Sequence, residues 1–231
     1  MAQEALRAEI RNLIRSGCHI KLLGDSLTIG AGSSDDDRTG SLIYPPFYRQ
    51  KGKLCWASLF QEHVARYNCT VDNVGCYGTT STELMEHLDQ LYHPTEDPLV
   101  FCMIGSNDKK IDGGMELLKR NLSALCEKVL ADGNKLVLMT PNPATAANDA
   151  KPTRIYPQSK VVETIRDVAK DYADRVLLID HYLTMETECR LRGCTLEEFL
   201  QVGVGPDNDG LHPGNNAYYF YFEHICVYLG I

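Results

Sequence analysis

Four short apolar runs punctuate the chain, and each is followed by a turn and then by a stretch with helical spacing. The runs are Ile20 with Leu22 and Leu23, Pro98 to Ile104, Lys135 to Met139 and Val176 to Ile179, and a fifth, weaker one spans Cys69 to Val74. Continuous apolar runs of this length suit strands buried on both faces, and helices between successive strands require parallel pairing. The alternation therefore predicts an α/β protein whose parallel sheet is covered on both faces. Helical spacing is read over Ala2 to Arg15, Leu54 to Tyr67, Thr79 to Leu91, Met115 to Leu130, Ser159 to Tyr172, His181 to Arg192, Leu196 to Leu200 and Asn215 to Leu229. The first of these, with Leu6, Ile10, Leu13 and Ile14 on one side, is an amphipathic helix for the outside of the fold and offers a contact for a homo-oligomer.

Two long segments interrupt the pattern, Ser33 to Lys53 and Pro141 to Pro157. Both lie inside the strand and helix alternation, and there are no internal repeats, so residues 1–231 are read as one domain. Long loops in compact domains are often functional, which makes each a candidate lid. Tyr44, Phe47 and Tyr48 are candidates for the wall of a substrate pocket; an acidic solvated loop anchored by aromatics is the other reading.

The net charge of -8 argues against a nucleic-acid or anionic-membrane surface, because both require clustered Lys and Arg. No stretch is long and apolar enough for a membrane span, and the amino terminus lacks the pattern of a signal peptide. Nine cysteines without a Cys-x-x-Cys pair are read as buried thiols in a reducing cytoplasm. Cys189 and Cys194 offer a metal-site alternative that lacks a matching second half.

In an open parallel sheet, function gathers at the carboxyl ends of the strands. Ser26 follows the first strand, where a tight turn into a helix exposes a backbone N–H to developing negative charge. Asp209 and His212 stand three apart in the last loop, after the glycine-rich stretch Gly203 to Asn208. That spacing lets a carboxylate hold one imidazole nitrogen while the other faces a hydroxyl. Pro213 keeps His212 out of helical geometry. Gly78 and Asn107 follow the second and third strands. Together these residues supply a nucleophile, a base, its orienter and hydrogen-bond donors, as acyl transfer requires. Each also has an ordinary reading as a turn, cap or surface residue.

Gly24-Asp25-Ser26-Leu27, Asn73-Val74-Gly75-Cys76-Tyr77-Gly78, Gly105-Ser106-Asn107-Asp108 and Asp209-Gly210-Leu211-His212 occur in that order across nearly the whole chain. In this the sequence resembles the GDSL esterase/lipase family, the SGNH hydrolases. The resemblance implies a three-layer, flavodoxin-like α/β/α sandwich with a five-stranded parallel sheet, and ester hydrolysis with no metal or organic cofactor. It implies Ser26, Asp209 and His212 as the catalytic triad, and an oxyanion hole from the N–H groups of Ser26 and Gly78 and the side chain of Asn107. Gly78, which precedes Thr79 and Thr80, fits the family's second block better than Gly75. For Asp25 and Asp108 a structural role in the loops is preferred.

The expected substrate is a small-molecule ester, a short-chain ester, acetyl above all, of a carbohydrate or similar compound. No long apolar segment is available as a lid for lipid. A lysophospholipase or acyl-thioester hydrolase is the alternative within the family. A non-catalytic ligand-binding module, holding a flavin phosphate on the glycines after Ser26, is the alternative of another class.

Overall fold

The computed structural model describes residues 2–34, 42–44, 47–48 and 53–231. Five strands, β1 (His19–Gly24), β2 (Thr70–Asn73), β3 (Leu99–Met103), β4 (Lys135–Met139) and β5 (Val176–Ile179), pair in parallel in the order β2-β1-β3-β4-β5. This is the flavodoxin-like order, and its direction reverses beside β1, where a crevice opens at the carboxyl ends. The register sets Gly24 beside Met103 and Leu22 beside Asn73, so the turn after β1 lies between the loops that follow its two neighbours. Leu42–Tyr44 and Phe47–Tyr48 form a separate antiparallel ribbon.

The helices in chain order are α1 (Ala2–Arg15), α2 (Ser26–Ile29), α3 (Trp56–Val64), α4 (Ser81–Glu86), α5 (Leu88–Leu91) and α6 (Gly114–Ala131). They continue as α7 (Ala146–Asp149), α8 (Gln158–Asp171), α9 (His181–Arg192), α10 (Leu196–Leu200) and α11 (Asn215–Leu229).

Strand periodicity sorts the core into two layers, because successive side chains point to opposite faces. Ile20, Leu22, Leu99, Phe101, Met103, Val137 and Leu177 pack with α1, α3 and α9 to α11 on one face. Leu23, Val100, Cys102, Leu136 and Leu138 pack with α4, α5, α6 and α8 on the other. The result is a three-layer α/β/α sandwich. Aromatic residues fill the first layer; Phe60 and Phe101 meet with ring centroids 5.5 Å apart. Burying one such side chain contributes about 1.5–3 kcal/mol, so the two apolar layers supply most of the drive to fold.

Several boundaries differ from the sequence reading for local reasons. The helix expected to run to Tyr67 ends at Val64 and tightens into a 3-10 turn, closed by Asn68 in left-handed geometry at φ 60°. The helix expected over Thr79 to Leu91 starts at Ser81, where Thr80 and Glu83 form a reciprocal capping box, and breaks at His87. The segment Pro141 to Pro157 contains α7, capped by the Thr145 side chain. The apolar stripe of α1 is used within the chain: Leu6, Ile10 and Ile14 are buried in the first layer.

Candidate active site

The turn after β1 is fixed by close packing. A Cβ at Gly24 would stand 2.1 Å from both the Met103 carbonyl oxygen and Thr28 Oγ1, so only glycine lets β1 approach β3 there. Asp25 caps α2 by accepting from Leu27 N–H at 3.0 Å. Thr28 Oγ1 donates to Met103 O at 3.0 Å, Trp56 Nε1 to Leu27 O at 2.9 Å and Asn73 Nδ2 to Thr28 O at 2.9 Å. These ties run from α2 to β3, α3 and β2, and they leave Ser26 buried at the first helical position, just past the carboxyl end of β1.

The last loop brings His212 to this serine. His212 Nε2 lies 2.9 Å from Ser26 Oγ, and His212 Nδ1 lies 3.2 Å from Asp209 Oδ1. A proton on Nδ1 directed at the carboxylate leaves Nε2 as the acceptor for the serine hydroxyl. Asp209 Oδ1 also accepts from the N–H groups of Leu211 and His212, each at 3.1 Å. Its Oδ2 accepts from Asn148 Nδ2 at 3.1 Å and Lys151 Nζ at 2.9 Å. Burial pushes the Asp209 carboxyl up, but the hydrogen bonds from His212 and Lys151 outweigh it and hold the group well below the usual carboxylate range. Asp209 therefore stays ionised beside the imidazole. Tyr77 stacks on the other side of the site, its ring centroid 5.7 Å from that of His212 at an interplanar angle of 18°.

Asn107 follows β3. Its amide nitrogen donates to Thr79 O at 3.0 Å, and its oxygen accepts from Lys110 Nζ at 2.6 Å. One amide hydrogen is thus tied to the loop that carries Gly78, and the second remains for another acceptor. Gly75 N–H donates to Asn73 Oδ1 at 3.0 Å. Gly78, at φ +85°, has geometry that favours glycine, and among the described residues nothing accepts from its N–H. Of the two glycines, Gly78 is the one with a donor to offer.

Two further carboxylates lie beneath. Asp108 accepts from Ser81 N–H and Oγ, which locks the loop after β3 to the start of α4. Burial pushes its carboxyl up to about 6 in spite of those bonds. Asp25 is likewise pushed up to about 6 by burial, opposed by the Leu27 N–H and the charge of His212, and its Oδ2 is buried without a hydrogen-bond partner. These two residues serve the loops, as expected of them.

The structure gathers Ser26, Asp209 and His212 into one hydrogen-bonded row and sets Gly78 and Asn107 in joined loops at the same sheet edge. The side chains of Tyr44, Phe47 and Tyr48 lie outside the described residues. The sequence reading missed Asn148, Lys151, Lys110 and Tyr77. The segment 141–157, a candidate lid in the sequence, also braces the Asp209 loop: Thr145 N–H donates to Gly210 O at 2.8 Å, and Asn142 Nδ2 to Leu211 O at 2.9 Å. The signal available was the pair of asparagines in this segment, Asn142 and Asn148, each able to bond backbone groups. Among the described residues, no cluster of three or more His, Cys, Asp or Glu side chains stands ready for a metal ion.

A parallel α/β/α sandwich with these groups at its carboxyl edge is a hydrolase fold. A model of the GDSL-like lipase/acylhydrolase family matches residues 22–219, and the chain belongs to that family. It is a carboxylic ester hydrolase. No curated protein sequence matches it. Among solved structures, it is similar to an acetylxylan esterase from Geobacillus stearothermophilus, with 16% identity, TM-score 0.68 and coverage of 94% of this chain and 97% of that one. That esterase is also represented by catalytic mutants at a serine, an aspartate and a histidine. A lipase/acylhydrolase from Enterococcus faecalis aligns at 22% identity and TM-score 0.66, covering 90% of this chain and 93% of the other. An alpha/beta hydrolase from the metagenome of Lake Arreo, Spain, aligns at 18% identity and TM-score 0.67, covering 93% and 96%. At these identities the likeness is one of fold.

Proposed function

We propose that this protein is a serine esterase that removes an acetyl group from an oxygen of a carbohydrate or similar small molecule. The observation that carries the reading is the row from Ser26 Oγ through His212 to the ionised Asp209. His212 Nε2 takes the serine proton as Oγ attacks the ester carbonyl. The N–H groups of Ser26 and Gly78 and the Asn107 amide receive the oxyanion, and Asp209 favours the imidazolium. The imidazolium then gives its proton to the departing alcohol, leaving an acetyl-serine. Water repeats the sequence and releases acetate.

The short acyl group is supported by the acetylxylan esterase that shares the fold, whose serine, aspartate and histidine mutants are catalytic mutants of that protein. Among the described residues no helix is long and apolar enough to cross a membrane. All nine cysteines are free thiols, in keeping with a reducing cytoplasm.

The test is turnover of nitrophenyl esters from acetyl to palmitoyl, with Ser26→Ala assayed in parallel. We expect the highest rate for acetyl and a loss of about 10⁴-fold or more in the variant. A long-chain optimum that still depends on Ser26 would transfer the substrate to lipids or thioesters. Turnover that survives Ser26→Ala would reject the mechanism.

A further inference from the structure

The chain is acidic overall, yet three cations crowd the edge of the site. Lys110 Nζ bonds to the Asn107 oxygen at 2.6 Å, and Lys151 Nζ to Asp209 Oδ2 at 2.9 Å. Arg154 belongs to the next turn of the same segment, its N–H donating to Lys151 O at 2.9 Å. The N–H groups of Ile155 and Tyr156 both donate to Lys109 O, at 2.9 and 3.1 Å, and this lashes the Arg154 turn to the backbone beside Lys110.

Their charges are poorly balanced. Asp149 is taken by Lys109 at 2.9 Å, and Asp209 is shared between His212 and Lys151. Among the described residues, no carboxylate lies within ion-pair distance of Lys110 or Arg154. Arg154 is half-buried, and its Nε is buried with no hydrogen-bond partner. Burial, and next the like charge of Arg154, lowers the Lys110 ammonium below its ordinary value; Asp25 and Asp209 pull the other way, and Lys151 adds to the repulsion. Holding like charges together around a guanidinium whose Nε is buried and unpartnered costs free energy in the free protein, and an arriving anion would relieve that cost. A guanidinium fork beside two ammonium groups matches a carboxylate or a phosphate.

We propose that Lys110, Lys151 and Arg154 form a subsite for an anionic group on the alcohol part of the substrate, so that the preferred esters are O-acetylated acidic sugars or similar O-acetylated anions. The inference rests on the acetylesterase reading above. It places the charge on the alcohol because an acetyl group has nowhere to carry one. Lys110 links this subsite to the chemistry, since the ammonium that meets the anion also holds the Asn107 amide in orientation.

The experiment compares acetate release from O-acetylglucuronic acid, O-acetylglucose 6-phosphate and O-acetylglucose, each rate divided by that ester's hydroxide-catalysed rate. We expect kcat/KM at least about tenfold higher for one of the charged esters, with the carboxylate and phosphate arms showing which anion fits. Arg154→Gln should reduce the charged-to-neutral ratio about tenfold, mainly through KM, and 0.5 M salt should compress it. A neutral ester preferred by the unaltered protein, or a ratio that Arg154→Gln leaves in place, overturns the subsite.

Release of acetate from none of the three would count against the esterase reading instead. Calorimetry with glucuronate, glucose 6-phosphate and glucose then reads the subsite without turnover. Tighter binding of an anion, lost in Arg154→Gln, sustains the subsite; equal binding of all three overturns it.

Discussion

The two halves of the site are built by different means. The turn that presents Ser26 sits inside the sheet, where close packing of Gly24 against Met103 and Thr28 and a strand on each side of β1 fix it, with hydrogen bonds such as Trp56 Nε1 to Leu27 O tying α2 down. The loop that presents Asp209 and His212 lacks regular structure from Gln201 to Gly214, and side-chain amides hold it. Asn142, Asn148 and Asn208 bond the carbonyls of Leu211, Asp209 and Gly32 at 2.8–3.0 Å. Asp25 and Asp209 repeat the contrast in one residue type. The first is buried with an idle oxygen and raised to about 6, while the second has every oxygen engaged and is held low. Packing gives a turn its shape at the cost of a buried charge, whereas a polar cradle keeps a charge available.

Substitution separates the two means of construction. Asp209→Asn should lower kcat by about 10³–10⁴-fold with the fold retained, because the amide no longer fixes the imidazole tautomer; circular dichroism with kinetics on nitrophenyl acetate checks both halves of that statement. If the turn is set by packing, Gly24→Ala should affect stability and activity together. The added methyl overlaps backbone on β3, and a loss of about 3–5 kcal/mol in denaturant unfolding is expected. A well-folded, active Gly24→Ala protein would show that the turn tolerates movement.

Asn148→Ala should fall between these, since it strips a hydrogen bond from both the carbonyl and the carboxylate of Asp209. We expect about 1–3 kcal/mol, read as roughly a tenfold or greater loss of kcat with only a modest fall in Tm. The smallest effect should be a gain. The raised Asp25 keeps its proton between pH 4 and 6 while the unfolded chain releases it, so stability falls as pH rises through that window. The penalty is complete above pH 6. Asp25→Asn should therefore have a Tm a few degrees higher than the unaltered protein at pH 8, with the difference shrinking towards pH 4. Asp209 acts with the opposite sign: its contribution is present above the ordinary carboxylate pKa and lost only in strong acid.

What the sequence disclosed follows the same division. Strands β4 and β5 and helices α9, α10 and α11 were legible to the residue, because runs such as Leu136-Val137-Leu138 have no polar side and end in turn residues. The residues now seen in one row at the sheet edge were legible as two short blocks, one following the first strand and the other in the last loop before α11. The cradle was not. Asn148 and Lys151 act on a residue 61 and 58 positions away, and Asn208 reaches Gly32 across 176. Local propensity says nothing about such partners, which depend on two loops meeting after the sheet has formed. The basic edge escaped notice for another reason: a net charge of -8 averages away Lys110, Lys151 and Arg154.

The ring of Tyr77 lying nearly parallel to His212 turns the imidazole into a spectroscopic reporter. Aromatic currents displace the magnetic resonance signals of nearby protons, so the carbon-bound protons of His212 should be displaced from their free-imidazole positions. Tyr77→Leu should move the His212 signals and so identify them, and the proton inventory of this one side chain can then be followed by titration in the intact protein.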